Sequence, residues 1–177
     1  DMMKNRLEQL CQIAVDSKVR LLIDAEETWI QDIIDALVMD LMRKHNTHEV
    51  CIYNTLQMYR HDRVAYLKKS IEEAKSQGFQ LGYKLVRGAY MEKERERAEE
   101  MGYASPIQPN KESTDAGFDE ALTICFNNRD VVATCLGTHN ESSSKLLTEL
   151  MEKEGVAITD DRFWFAQLYG MSDNISF

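Results

Sequence analysis

Lys84-Leu85-Val86-Arg87-Gly88-Ala89-Tyr90 decides how the rest of the chain is read. It ends an apolar, strand-forming run over residues 80–86, yet a lysine interrupts that run. A buried ammonium without a partner costs several kcal/mol, so such a lysine is either paired or used. Gly88 and Ala89 would admit a flat ring close to the backbone, and Tyr90 would wall a pocket or simply pack. The bland alternative is a Lys–Asp pair that serves the interior of the fold.

Outward from this stretch, short apolar strands alternate with helices. Residues 3–15 space Leu7, Leu10, Cys11 and Ala14 at helical intervals, and residues 19–24 form a branched, buried strand. Residues 28–44 carry a helical stripe of Ile30, Ile33, Ile34, Leu37, Val38, Leu41 and Met42. A strand at 50–54 and a helix at 60–77 follow, the helix ending at Gly78. Beyond Tyr90, residues 91–101 are a charged helix. Its Glu92/Arg95, Glu94/Arg97 and Arg95/Glu99 spacings predict a solvated face. Pro106 and Pro109 fall in a loop over 103–112, and Ser113, Thr114 or Asp115 then caps a helix to about Asn128. A strand at 131–137, a helix at 141–154 and a strand at 162–168 complete the series.

Such alternation predicts an α/β fold with a parallel sheet and helices on its outside. An open doubly wound sheet collects its ligand at one switch point. A closed barrel brings the C-terminal end of every strand to one rim. Here all five strands end in polar groups: Asp24-Ala25-Glu26-Glu27, Asn54-Thr55-Leu56-Gln57, Arg87 to Tyr90, Thr138-His139-Asn140, and Gln167 with Tyr169. No Gly-x-Gly-x-x-Gly and no phosphate-loop lysine follows any of them. The pattern predicts a TIM-type (β/α)8 barrel. A whole barrel needs about 250 residues, so residues 1–177 are expected to be a single partial barrel of about five of the eight units, cut at both ends.

Composition narrows the function classes. The net charge of −9 opposes nucleic acid, which needs a cationic footprint. No apolar run approaches the ~20 residues of a membrane span, and no signal peptide is visible. Cys11, Cys51, Cys125 and Cys135 lie far apart without a Cys-x-x-Cys pair, which predicts buried, reduced thiols. His45, His48 and His61 lack metal-ligand spacing and are read as surface residues; no metal is expected. Glu26 and Glu27 suit the first turn of the next helix, whereas Asp24 leaves a buried strand and is the better functional candidate. Lys111 precedes a helix N-terminus and would suit a phosphate cradle. Thr138-His139-Asn140 reads as a cap, a ligand contact or a general base.

Taken together, six blocks in order are similar to the proline dehydrogenase family. They are Leu22-Ile23-Asp24-Ala25-Glu26-Glu27, Tyr53-Asn54-Thr55-Leu56-Gln57-Met58-Tyr59 and Lys84-Leu85-Val86-Arg87-Gly88-Ala89-Tyr90-Met91. The others are Asn110-Lys111-Glu112-Ser113-Thr114-Asp115, Gly137-Thr138-His139-Asn140 and Gln167-Leu168-Tyr169-Gly170-Met171-Ser172-Asp173. The resemblance implies flavin-dependent oxidation of L-proline to 1-pyrroline-5-carboxylate, the first step of proline catabolism, with FAD across the barrel mouth. It implies that Gln57 and Lys84 contact the isoalloxazine and that Val86, Gly88 and Ala89 line the cofactor. Lys111, Thr138, His139 and Asn140 would hold its ribityl, pyrophosphate and adenosine portions, and Gln167 would add a polar contact. Asp24 and Ala25 would border the flavin and the substrate ring, and Tyr90 would flank the substrate. Lys84, Asp24 and Tyr90 are thus the expected catalytic group.

The same resemblance implies proline or hydroxyproline as substrate and a quinone as electron acceptor. It places a full-length enzyme in the cytoplasm or peripherally at the inner membrane of a bacterium, or in the mitochondrion of a eukaryote. Two family elements have no counterpart here: a lysine on an earlier strand that pairs with the position of Asp24, and an arginine pair that clamps the proline carboxylate. The chain alone is therefore expected to oxidise proline poorly or not at all. Two rival readings are a Schiff-base aldolase barrel with Lys84 as its nucleophile, activated by burial, and a non-catalytic fragment.

Overall fold

The structure, a computed structural model, describes residues 2–171; Ser172 and Asp173 of the last sequence block lie outside them. Five strands, β1 (Leu21–Ile23), β2 (Ile52–Gln57), β3 (Leu81–Val86), β4 (Val132–Gly137) and β5 (Phe163–Ala166), form one sheet. Every pairing is parallel, and the spatial order is the order of the chain. Helices α1 (Met2–Asp16), α2 (Thr28–His45), α3 (Arg63–Gln77), α4 (Met91–Met101), α5 (Lys111–Asn127) and α6 (Glu141–Lys153) alternate with the strands, α4 and α5 sharing the crossover from β3 to β4. The result is an α/β half-barrel.

The period-2 alternation of strand side chains sorts residues between two faces. Outward, Ile52, Leu56, Leu81, Tyr83, Leu85, Val132 and Leu136 pack against Val38, Met42, Leu67, Phe118, Leu122 and Phe126 of the helices. Fully burying an apolar side chain of this size contributes about 1.5–3 kcal/mol, so this layer holds the fold together. Inward, Tyr53, Ala133 and Cys135 cluster, and the register sets Thr55, Lys84 and Cys135 side by side on that concave face. Gly82 lets the face close up: a Cβ there would lie 2.7 Å from Cγ of Tyr53 and 2.5 Å from the Ile52 carbonyl.

Curvature is visible in a single hydrogen bond. Arg20, just before β1, donates through Nη2 to the Asp161 carbonyl (2.9 Å), just before β5. Four inter-strand steps of about 4.8 Å would keep the edges of a flat sheet about 19 Å apart. Contact across that span requires the sheet to curl.

Local details depart from the sequence reading where a buried partner exists. β2 runs to Gln57 instead of ending at Asn54, because Asn54 donates to Asp35 (2.9 Å) and Thr55 to the Ile23 carbonyl (2.8 Å). The cap of α5 is Asn110, whose side chain accepts from the Ser113 amide (2.8 Å), not Ser113, Thr114 or Asp115. The α4 face is not wholly solvated. Glu94 is fully buried and accepts from the amide (2.7 Å) and hydroxyl (2.6 Å) of Thr28. The expected ion pairs along α4 do not form: Arg95 reaches the Gln108 carbonyl (3.0 Å) and Arg97 lies over Trp29. His45 is not a surface side chain either, since its ring is tucked in beside Glu8 (2.8 Å). His48 and His61 are exposed, and all four cysteines are free and buried.

Candidate active site at the strand C-terminal rim

The inner face leads at its C-terminal end to the ammonium of Lys84, which is bonded to the carboxylate of Asp24. β2 lies between the strands that carry these two residues, so the pair reaches across the end of β2. Three more ties follow in step. Tyr90 donates its hydroxyl to Glu26 (3.0 Å), Lys93 bonds Glu27, and Glu94 takes both Thr28 donors. The β1–α2 connection and the β3–α4 connection are thereby laced together over the rim. The carboxylate of Glu26 pushes the Tyr90 phenol above its ordinary value. The lysine beside Glu27 holds its carboxyl below the usual range.

Beneath the lacing runs a buried polar chain that the sequence reading did not foresee. The Glu26 amide donates to Gln31 (3.0 Å), Gln31 to Asp35 (2.8 Å), and Arg63 bonds both Asp35 (2.6 Å) and Asp62 (3.0 Å). Arg60 reaches Asp62 from the other side (2.7 Å). Burial alone would raise the Asp62 carboxyl, but the two guanidiniums outweigh it and hold it at about 2. The only sequence signal was the unusual density of charge in Arg60-His61-Asp62-Arg63 after a strand end.

On the other side of Lys84, Arg87 gathers the ends of β4, α5 and α6. Its guanidinium donates to Asp115 (2.6 Å), Thr138 (2.8 Å) and Ser143 (3.1 Å) and lies over the Phe118 ring. Thr138 also accepts from the Asn140 amide (3.0 Å), and Asn140 caps α6 by accepting from the Ser143 amide (3.1 Å). Lys111 stands apart from Thr138, His139 and Asn140. It is bonded to Asp115 and joins them only through Asp115 and Arg87.

The remaining expected residues fall on the same rim. Gln57 pairs in register with Val86, and its side-chain oxygen is buried without a partner. His139 accepts weakly at Nε2 from the Leu168 amide (3.4 Å), beside Gln167, and its Nδ1 is buried without a partner. A ring whose Nε2 accepts carries its hydrogen at Nδ1. Ala25 and Ala89 sit in the two laced connections. Gly88, at φ +129°, lets the Tyr59 ring approach the backbone. The rim thus presents an acceptor from β2, a cation from β3 and a donor from β4. This set fits a flat heterocycle with donor and acceptor edges, as the isoalloxazine of a flavin is. No cluster of three or more metal-ligating side chains occurs among the described residues.

Known proteins share this fold. Residues 2–177 match the family model described as proline dehydrogenase. The chain is 36% identical over 178 residues to human mitochondrial proline dehydrogenase 1, covering 99% of this chain and 30% of that protein. It is 34% identical over 185 residues to the Drosophila melanogaster protein of the same name, covering 99% of this chain and 27% of the relative. The chain therefore spans about a third or less of the length of these relatives. The solved structure of proline utilization A from Bdellovibrio bacteriovorus, inactivated by N-propargylglycine, superposes with a TM-score of 0.89 at 22% identity, covering 98% of this chain and 18% of that one. With the family model matched over residues 2–177 and a fold that agrees with it, the chain belongs to the proline dehydrogenase family.

Proposed function

We propose that this chain supplies the flavin-binding arc of an enzyme that oxidises L-proline to 1-pyrroline-5-carboxylate, the first step of proline catabolism. The observation that carries the reading is the Lys84–Asp24 pair on the inner rim of a family barrel. FAD, when bound, supplies the hydride acceptor for a substrate whose neutral ring nitrogen drives hydride loss. Lys84 contributes a fixed cation, and a cation in a site shielded from water favours negative charge developing nearby. Asp24 holds that cation in place and borders the substrate. Gln57 offers an acceptor, Thr138, His139 and Asn140 offer polar contacts, and Val86, Gly88 and Ala89 form a wall low enough for a ring to lie against. Lys111 and Gln167 complete the proposed cofactor set, and Ala25 and Tyr90 flank the substrate.

The human and Drosophila relatives are named as mitochondrial, and we extend that location to this chain, together with a quinone as electron acceptor. No described helix is long and apolar enough to cross a membrane, and the association we propose is peripheral. Mixing the chain with FAD and adding proline under nitrogen tests the reading. A yellow protein is expected, bleached only slowly by proline because this chain lacks the carboxylate clamp, with hydroxyproline run in parallel to rank the two substrates. A colourless protein that traps a carbonyl compound on Lys84 with borohydride overturns it in favour of Schiff-base chemistry.

A further inference from the structure

We propose that Arg87 is a positioning residue that makes the Thr138 hydroxyl an obligate hydrogen-bond donor to the bound cofactor. The inference rests on the flavin reading above and deepens it. A threonine hydroxyl has one hydrogen to give and two lone pairs with which to accept. At Thr138 both lone pairs are taken, by Nη1 of Arg87 (2.8 Å) and by the Asn140 amide (3.0 Å). No described group accepts its hydrogen. The hydroxyl therefore has one capacity left, donation, which an acceptor atom of a ligand can take up.

Arg87 cannot release Thr138 by turning away. Its Nε is bonded to Asp115 (2.6 Å), its Nη2 to Ser143 (3.1 Å), and its face rests 4.3 Å from the centroid of Phe118. Ser143 in turn donates to Asp119 (2.6 Å), so toward Arg87 it can only accept. The polarity thus runs one way, with the guanidinium, which has donors and no acceptor, at its centre. A lysine would keep the charge but not the planar fork that serves three partners at once. Thr138 is itself mostly buried, so a misdirected hydroxyl would not be repaired by water.

FAD titration of the chain, followed by the flavin absorption band and by fluorescence, tests this. Thr138→Val is expected to raise the FAD dissociation constant about tenfold, the worth of one such bond. Thr138→Ser, which keeps the hydroxyl, is expected to stay within about twofold of wild type. Arg87→Met weakens binding by no more than Thr138→Val, and the double variant Arg87→Met/Thr138→Val binds no worse than Thr138→Val alone, because Arg87 acts through that hydroxyl. If Arg87→Met does not fold, Arg87→Lys takes its place with the same expectation. Wild-type affinity in Thr138→Val, or losses that multiply in the double variant, overturn the proposal and leave the flavin reading standing. A wild-type chain that takes up no FAD overturns both.

Discussion

The guanidinium of Arg20 lies 4.0 Å from the ring centroid of Trp164, although the two residues belong to opposite edges of the sheet. Arg20 also holds the Asp161 carbonyl, which accepts in addition from the Trp164 indole (2.8 Å). The three groups tie the two edges together at the N-terminal end of the strands. Cation–π contacts of this kind contribute about 0.5–2 kcal/mol. Arg20→Ala is expected to lower stability by about 1–2 kcal/mol in urea unfolding. Unchanged stability would show that the curl does not depend on this tie.

Lys84 faces the opposite end of the same concave surface. Its partner Asp24 has a side chain 69% exposed, so water solvates the carboxylate when the lysine is removed. Lys84→Met is expected to cost under about 1 kcal/mol of stability. Proline-driven bleaching of bound flavin is expected to slow by about 10²-fold, the usual effect of losing one preorganised electrostatic contact. Equal bleaching rates would remove Lys84 from the chemistry.

Gly88 was read from the sequence as room for a ligand ring, and the structure gives that room a second tenant. A Cβ on Gly88 would sit 2.5–2.6 Å from three atoms of the Tyr59 ring, and its φ of +129° disfavours any L side chain. Strain and overpacking together predict a loss of about 3 kcal/mol for Gly88→Ala. Thermal unfolding checks it, and a melting point within a degree or two of wild type would contradict it.

These cases show where the sequence was legible. Strand and helix periods come from each residue and its near neighbours, so five strands, their parallel sense and the inward lysine could be read directly. Partners that lie far along the chain could not. Glu94 looked solvated because its neighbours are charged, while its two donors come from Thr28, 66 positions away. β2 seemed to stop at Asn54 because Asp35, which satisfies that amide, belongs to α2, 19 positions back. Arg87 stood within a recognisable block yet carried no role, since its partners lie 28, 51 and 56 residues onward.

Asp62 makes stability depend on acid. Its folded carboxyl is held at about 2 by Arg63 and Arg60, against about 4 in an unfolded chain. A depressed folded value means that the stabilisation is complete above pH 4 and drains away as pH falls toward 2. Urea midpoints measured from pH 5 to pH 2 should fall for the wild type. Asp62→Asn should start lower and show a flatter slope over that window; parallel curves would refute the assignment.

The thiols should be silent in the native state. Burial pushes Cys125 up to about 12 and Cys11 up to about 11, and the thiolate is the reactive form. A chromogenic disulfide reagent at pH 8 should leave both untouched over minutes and modify all four cysteines once denaturant is added. Rapid native labelling of Cys125 would mean that the helix layer opens.

Because each strand pairs with the one made just before it, the chain can assemble in the order in which a ribosome releases it. Among the described strands, each of β2 to β5 finds its neighbour already made, so one edge of it is covered as it emerges. Arg20 is the patient exception: its anchor at Asp161 is synthesised 141 residues later. The tie that joins the two edges is thus a late event, and a slow synthesis rate should delay it without exposing the helix-facing core.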